Sequence, residues 1–105
     1  MFLLYYKNIV IGSLSISNDI WTFIYSDDFK NQSEIGPIID FSNVNKIYKW
    51  SKLPPFFSIR IPSLKRNAVL KILEESNIDK NDEVELLKKF GHKSICNPYV
   101  LKYVT

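Results

Sequence analysis

Apolar and polar positions alternate along the first quarter of the chain and recur at helical spacing along its second half. Residues 2–6 and 9–16 are β-branched or aromatic runs separated by Lys7-Asn8. Two such runs joined by two polar residues predict a β-hairpin. In the second run Ile9, Ile11, Leu14 and Ile16 are spaced two, three and two apart. The extra residue falls beside Gly12-Ser13, where a β-bulge restores the alternation. Ser17-Asn18-Asp19 predicts a turn. Residues 20–25 then place Trp21, Phe23 and Tyr25 on one face and Ile20 and Ile24 on the other. The pattern is a three-stranded antiparallel meander.

Residues 26–33 are polar and predict one helical turn capped by Ser26 or Asp27. Gly36-Pro37 marks a turn. Residues 38–41 and 44–48 fit short edge strands or an irregular loop. From Ser63 the period changes. Leu64, Ala68, Val69, Ile72 and Leu73 share one helical face, which predicts a helix over 64–76 with Ser63 as N-cap and Asn77 as a left-handed stop. A second helix is predicted up to Phe90, capped by Asp79 or Asn81. Its acids stand in the first turns and Lys88 and Lys89 in the last, as the helix dipole favours. Val84, Leu87 and Phe90 form its buried stripe, and Gly91 stands at the C′ position. Residues 99–104 alternate as a last strand. The expected fold class is α+β: a curved antiparallel sheet, a partly open small barrel, covered by two helices and joined by a returning last strand.

Length adds that residues 1–105 form one domain with one modest core. Seven Phe, six Tyr and two Trp supply an apolar payload that excludes a disordered chain. The net charge of +3 matters less than its distribution. No Asp or Glu occurs from residue 41 to 73, while Lys46, Lys49, Lys52, Arg60, Lys65, Arg66 and Lys71 do. Glu74, Glu75, Asp79, Asp82, Glu83 and Glu85 follow. One face is therefore expected to be basic and one end acidic. The single Cys96 excludes an internal disulfide and fits a reducing compartment. The apolar N-terminus is short, is interrupted by Lys7 and Asn8, and has no basic stretch before it. It is not expected to be a signal peptide, and no apolar run reaches membrane-span length.

Enzyme chemistry finds few candidates. His92 is the only histidine and Cys96 the only thiol, so a nucleophile–base pair would have to use both. One His and one Cys are too few for a structural zinc site. Three glycines cannot build a glycine-rich phosphate loop. Neither catalytic residues nor a metal or other cofactor are expected. Lys46, Tyr48, Lys49, Trp50 and Lys52 interleave charge with rings, the pattern of a single-strand nucleic-acid surface. The same pattern suits an edge segment with its rings turned inward. A small basic nucleic-acid-binding protein using residues 46–52 is the alternative function.

Residues 53–62 are more telling. Pro54 and Pro62 hold the residues before them out of the helical region, and Pro55 suits the first position of a helical turn. The stretch predicts a short, stiff, apolar knuckle. Its adjacent rings leave two arrangements open: Phe56 and Phe57 both in the core, or one in and one out. Ile61-Pro62-Ser63-Leu64-Lys65-Arg66 then presents apolar and basic residues at a stiffened helix entry, suited to a partner's cleft.

Three features together resemble the first N-terminal subdomain of HipA-type serine/threonine kinases and the small HipS-like antitoxins of HipBST toxin–antitoxin systems. They are the glycine in the second strand (Ile11-Gly12-Ser13-Leu14), the Phe56-Phe57 pair before Ile61-Pro62-Ser63, and Leu86-Leu87-Lys88-Lys89-Phe90-Gly91 before the last strand. The sequence departs from that pattern where Leu-Pro-Glu-Gly is usual and Ile61-Pro62-Ser63-Leu64 stands. It departs again where Asn97-Pro98-Tyr99 replaces a small-residue turn. The resemblance implies a bacterial, cytoplasmic, non-catalytic module. Its implied partner is a HipT/HipA-like serine/threonine kinase, with a HipB-like helix-turn-helix DNA-binding protein joined through the complex. Neither a membrane nor direct nucleic-acid binding is implied. The implied partner-facing residues are Phe57, Arg60, Ile61, Pro62, Ser63, Leu64, Lys65 and Arg66.

Overall fold

The computed structural model describes residues 1–104. Strands β1 (Phe2–Tyr6), β2 (Ile9–Ser17) and β3 (Ile20–Tyr25) form the expected meander. A three-residue strand β4 (Tyr48–Trp50) pairs with β3, and β5 (Val100–Tyr103) pairs with β1. The sheet is antiparallel throughout and open, in the order β4-β3-β2-β1-β5. Lys7 and Asn8 close the first hairpin, with φ positive at Lys7. Asn18 and Asp19, both at positive φ, close the second, as a tight two-residue turn requires.

The bulge is present, one residue before the expected place. Leu4 pairs with Gly12 and Tyr5 with Val10, so Ile11 is the extra residue. A Cβ on Gly12 would lie 2.5 Å from the Ile24 carbonyl oxygen and 2.6 Å from the Phe23 ring. The glycine lets β2 and β3 close over the Phe23 side chain.

The inner face of the sheet carries Phe2, Leu4, Leu14, Trp21, Phe23, Tyr25 and Leu101, all buried. Segments from the middle of the chain close over it. Helix α1 (Asp27–Lys30) is capped by Ser26, whose Oγ accepts the Phe29 N–H at 3.1 Å, and it buries Phe29 against Tyr25. A 3-10 turn (Ile39–Phe41) inserts Phe41. A single helical turn, α2 (Pro55–Ser58), inserts Phe57. Phe41 lies against Phe23, Tyr48, Trp50, Phe56 and Phe57, with ring centroids 5.2–6.0 Å apart.

Two helices follow, α3 (Asn67–Glu75) and α4 (Glu83–Phe90). Helix α3 starts a turn later than its apolar spacing predicts. The Ser63 Oγ accepts the Lys65 N–H at 3.3 Å, and this local turn competes with helix. Arg66 therefore takes the N-cap position, without a side-chain bond. Asn77 ends the helix at φ 55°, with Ile78 N–H bonded to the Leu73 carbonyl and Asn77 N–H to that of Glu74. Asp82, and neither Asp79 nor Asn81, caps α4 by accepting the Glu85 N–H. Asp79 is engaged in a turn of its own, accepting the Asn81 N–H at 2.8 Å. Gly91 has φ −83°, so it is no left-handed stop. Close approach to the Leu87 carbonyl and side chain, where a Cβ would collide, is what requires glycine there.

The cover over the sheet is also narrower than the helix pattern implies. Leu87 joins the core under the sheet, whereas the buried Val69, Leu73 and Leu86 lie outside it. Ala68 and Ile72 of the expected α3 stripe are exposed.

Candidate functional site

The knuckle is a turn locked from beneath. Pro54 and Pro55 start α2 with extended φ/ψ at Pro54 and proline at the first helical position. The Phe57 N–H and Ser58 N–H both bond to the Pro54 carbonyl at 3.0 Å. Phe57 is fully buried, 5.7 Å from Phe23 and 6.0 Å from Phe41 between ring centroids. Phe56 stands nearly perpendicular to it, half-buried against Phe41 and Tyr99. One ring therefore goes in and one stays at the rim. The inward ring is Phe57, expected at the partner surface, so that expectation is corrected. Two positions after Pro55 on a single helical turn, Phe57 faces the sheet.

Arg60 is corrected in the same way. It is 5% exposed and faces the interior. Its Nη1 donates to the Gly91 carbonyl at 3.0 Å and to that of His92 at 3.5 Å. Its Nη2 donates to Asn97 Oδ1 at 3.0 Å and the Tyr99 carbonyl at 2.9 Å. Among the described residues no carboxylate pairs with it, and its Nε has no partner. Burial pushes its pKa below the ordinary arginine value. The carbonyl of Gly91 stands at the C-terminal, negative end of the α4 dipole, which favours a cation there. Arg60 thus fastens the knuckle to the end of α4 and to the segment leading into β5.

The other six expected residues do reach the surface. Ser63, Lys65 and Arg66 are exposed, and Ile61, Pro62 and Leu64 are half-buried. Ile59, outside the expected set, is 58% exposed at the end of α2. Two clefts flank the part of the knuckle after Pro55, and a third, of about 510 Å³, lies along residues 49–55. One, of about 470 Å³, lies between Phe56, Tyr99, Pro37, Ile38, Ile39 and Asp40. The other, of about 290 Å³, lies between Ile59, Pro62 and the loop carrying Lys93, Ile95 and Cys96. Ile95 is fully exposed. It had no signal in the sequence beyond being an apolar residue in a polar loop.

The chain thus combines an open sheet built on a meander, a bulged glycine strand, and a proline knuckle tied to the helix that precedes the last strand. The family model of the HipA N-terminal domain matches residues 3–96. The chain belongs to the HipA N-terminal domain family. The match spans the meander, the knuckle and both long helices, so all three features of the sequence pattern fall inside it. No curated protein matches the chain.

The remaining chemistry-bearing residues of this HipA N-terminal domain are engaged locally. The His92 Nδ1–H donates to the Leu101 carbonyl at 3.2 Å, and the His92 carbonyl accepts the Leu101 N–H at 2.9 Å. His92 thus anchors β5, and no hydrogen bond joins it to Cys96 among the described residues. The described residues hold no group of three or more His, Cys, Asp or Glu side chains placed for a metal ion. In the 46–52 stretch, Tyr48 and Trp50 stack at 6.0 Å and pack on the core. The Tyr48 hydroxyl accepts the Asn43 N–H at 2.9 Å. Both rings are half-buried, and Trp50 also lines the clefts on either side of residues 49–51. No helix among the described residues is long and apolar enough to cross a membrane.

Proposed function

We propose that this HipA N-terminal domain is a non-catalytic, HipS-like antitoxin or regulatory module of a bacterial cytoplasm. It binds a HipT/HipA-like serine/threonine kinase and restrains it. A HipB-like helix-turn-helix protein joins the assembly through the kinase. The observation that carries this reading is the knuckle's division of labour. Phe57 and Arg60 fix its shape from below, while Ile59, Ile61, Pro62 and Leu64 keep apolar surface at its rim. Ser63, Lys65 and Arg66 complete the contact face. A surface already rigid before binding loses little conformational freedom in the complex, so its apolar area goes into affinity. Family membership supplies the kinase context.

The test is co-expression with a HipA-like kinase of the same genome, tagged for capture. The wild-type chain is retained with the kinase and lowers its autophosphorylation. Leu64→Asp weakens the complex at least about tenfold, as loss of an apolar anchor does. Glu75→Gln, on the exposed acidic end, binds like wild type. Failure of the wild-type chain to be retained removes the reading; equal retention of Leu64→Asp moves the contact face elsewhere.

A further inference from the structure

We infer that the cleft between Ile59 and Ile95 receives one apolar side chain carried on an acidic segment of the partner. The inference rests on the binding role proposed above and deepens it by naming the chemistry of the segment that is bound.

Size comes first. At about 290 Å³ the cleft falls at the lower limit of sites that take whole small molecules, roughly 300 Å³. It suits a single inserted side chain. Its walls are aliphatic, with Ile59 and Pro62 on the knuckle side and Ile95 on the loop side. Ile59 and Ile95 are both well exposed, and together they leave an apolar notch on an otherwise polar loop surface.

Charge then selects the segment. Lys93 and Arg60 line the cleft, and no acid does. The four bonds of Arg60 all go to carbonyl or amide oxygens, so its positive charge is not neutralised. Lys65 and Arg66 follow Pro62 closely and are exposed. The only ion pair among the described residues joins Lys88 to Glu85, leaving these cations without acidic partners. Of the other two clefts beside the knuckle, the one at Phe56 contains Asp40 and lacks this uniform sign, and the one along residues 49–55 is basic too but, at about 510 Å³, is wider than one side chain fills. An apolar notch lined by Lys93 and Arg60, with no acid, matches an apolar residue flanked by Asp or Glu.

Two short fluorescein-labelled peptides test this, each with one central Phe, flanked in one by Glu and in the other by Gln. Anisotropy should show the Glu peptide binding the intact chain, the Gln peptide about tenfold more weakly, and the gap closing at high salt. Ile59→Asp and Ile95→Asp should each weaken the Glu peptide at least about tenfold with unchanged thermal melting, since both side chains are exposed. Equal binding of the two peptides, binding of neither, or wild-type binding by both variants overturns the inference. So does a concentration-dependent dimer that Ile59→Asp abolishes, because a second copy then fills the cleft with its own acidic 74–85 region. Kinase capture with a negative peptide result removes the cleft assignment alone; loss of kinase capture removes the wider binding role whatever the peptides do.

Discussion

Phe23, Phe41 and Phe57 meet ring to ring beneath the sheet, and Tyr25, Tyr48, Trp50 and Phe56 extend the contact outward. The α3–α4 pair has nothing comparable. Outside the main core its buried side chains are Val69, Leu73 and Leu86, and Leu70 and Ile72 of α3 are each 38% exposed. Each aromatic pair adds about 0.5–1.5 kcal/mol beyond its buried area, so the sheet and knuckle are held redundantly. Helix α3 has nine residues and no side-chain N-cap, a length that is marginal in water without packing. The radius of gyration, 14.4 Å, exceeds the roughly 13 Å of a compact chain of this size. The contrast teaches that the knuckle, the proposed contact surface, belongs to the rigid region, while the helix beginning just after it belongs to the looser one.

The largest expected effect breaks the rigid region. Phe57→Ala removes a ring with no exposed surface and should cost about 4 kcal/mol, read by denaturant unfolding, a large share of the stability of a domain this size. Leu73→Ala should cost about 2–3 kcal/mol, with the loss of hydrogen-exchange protection confined to α3 and α4. If Leu73→Ala exposed β1–β3 as fully as Phe57→Ala does, the two regions would be one cooperative unit.

Arg60 joins the two regions, and its removal comes next. Arg60→Met keeps the aliphatic stem but strips four donors from the Gly91, His92, Asn97 and Tyr99 oxygens. The His92 carbonyl keeps the Leu101 N–H and Asn97 Oδ1 the Tyr99 N–H, but the Gly91 and Tyr99 carbonyls lose the arginine's donors, which should cost about 3 kcal/mol in sum, read by denaturant unfolding. Wild-type stability in Arg60→Met would mean that packing alone seats the knuckle on α4.

Alkaline pH tests a buried hydroxyl of the rigid region. The Tyr25 hydroxyl donates to the Phe41 carbonyl at 2.6 Å and accepts the Ile38 N–H at 3.0 Å. Burial pushes its pKa up to about 12 from an ordinary 10.0. The folded state therefore holds this proton more tightly than the unfolded chain does. Its contribution is complete below pH 10 and is lost as pH rises to about 12. Burial raises Tyr99 in the same direction. Tyr25→Phe should lower stability by about 2 kcal/mol at neutral pH and flatten most of the alkaline decline.

Strand alternation was legible because β1–β3 bury one face only; Trp21, Phe23 and Tyr25 went inward as their spacing required. Local turn chemistry was legible at Ser26 and Asn77 for the same reason: the bonds involved span only a few residues. The site was read with its two central residues reversed. A charged Arg60 between Ile59 and Ile61 suggests a surface residue. What turns it inward is the Gly91, Asn97 and Tyr99 oxygens, 31 to 39 residues away, and no local pattern carries that information. The Phe56-Phe57 order was likewise set by Phe23 and Phe41, not by the knuckle itself.

The smallest effect separates folding from binding at the junction of the two regions. Arg66 occupies the N-cap of α3 in extended conformation with its carbonyl accepting the Leu70 N–H at 3.0 Å, yet its side chain caps nothing. A cation there also opposes the positive end of the helix dipole. Arg66→Asp supplies an acceptor for the Ala68 or Val69 N–H and reverses the sign of that charge. It should stabilise the protein by about 1 kcal/mol, raising the melting midpoint by about 4 °C. The same change removes one cation from the face assigned to the partner and should slow association with the kinase at low salt. A variant that folds better and binds worse shows that α3 tolerates a poor cap because Arg66 is needed for contact. A variant that gains stability and binds equally well would leave Arg66 as nothing more than an unoptimised helix start.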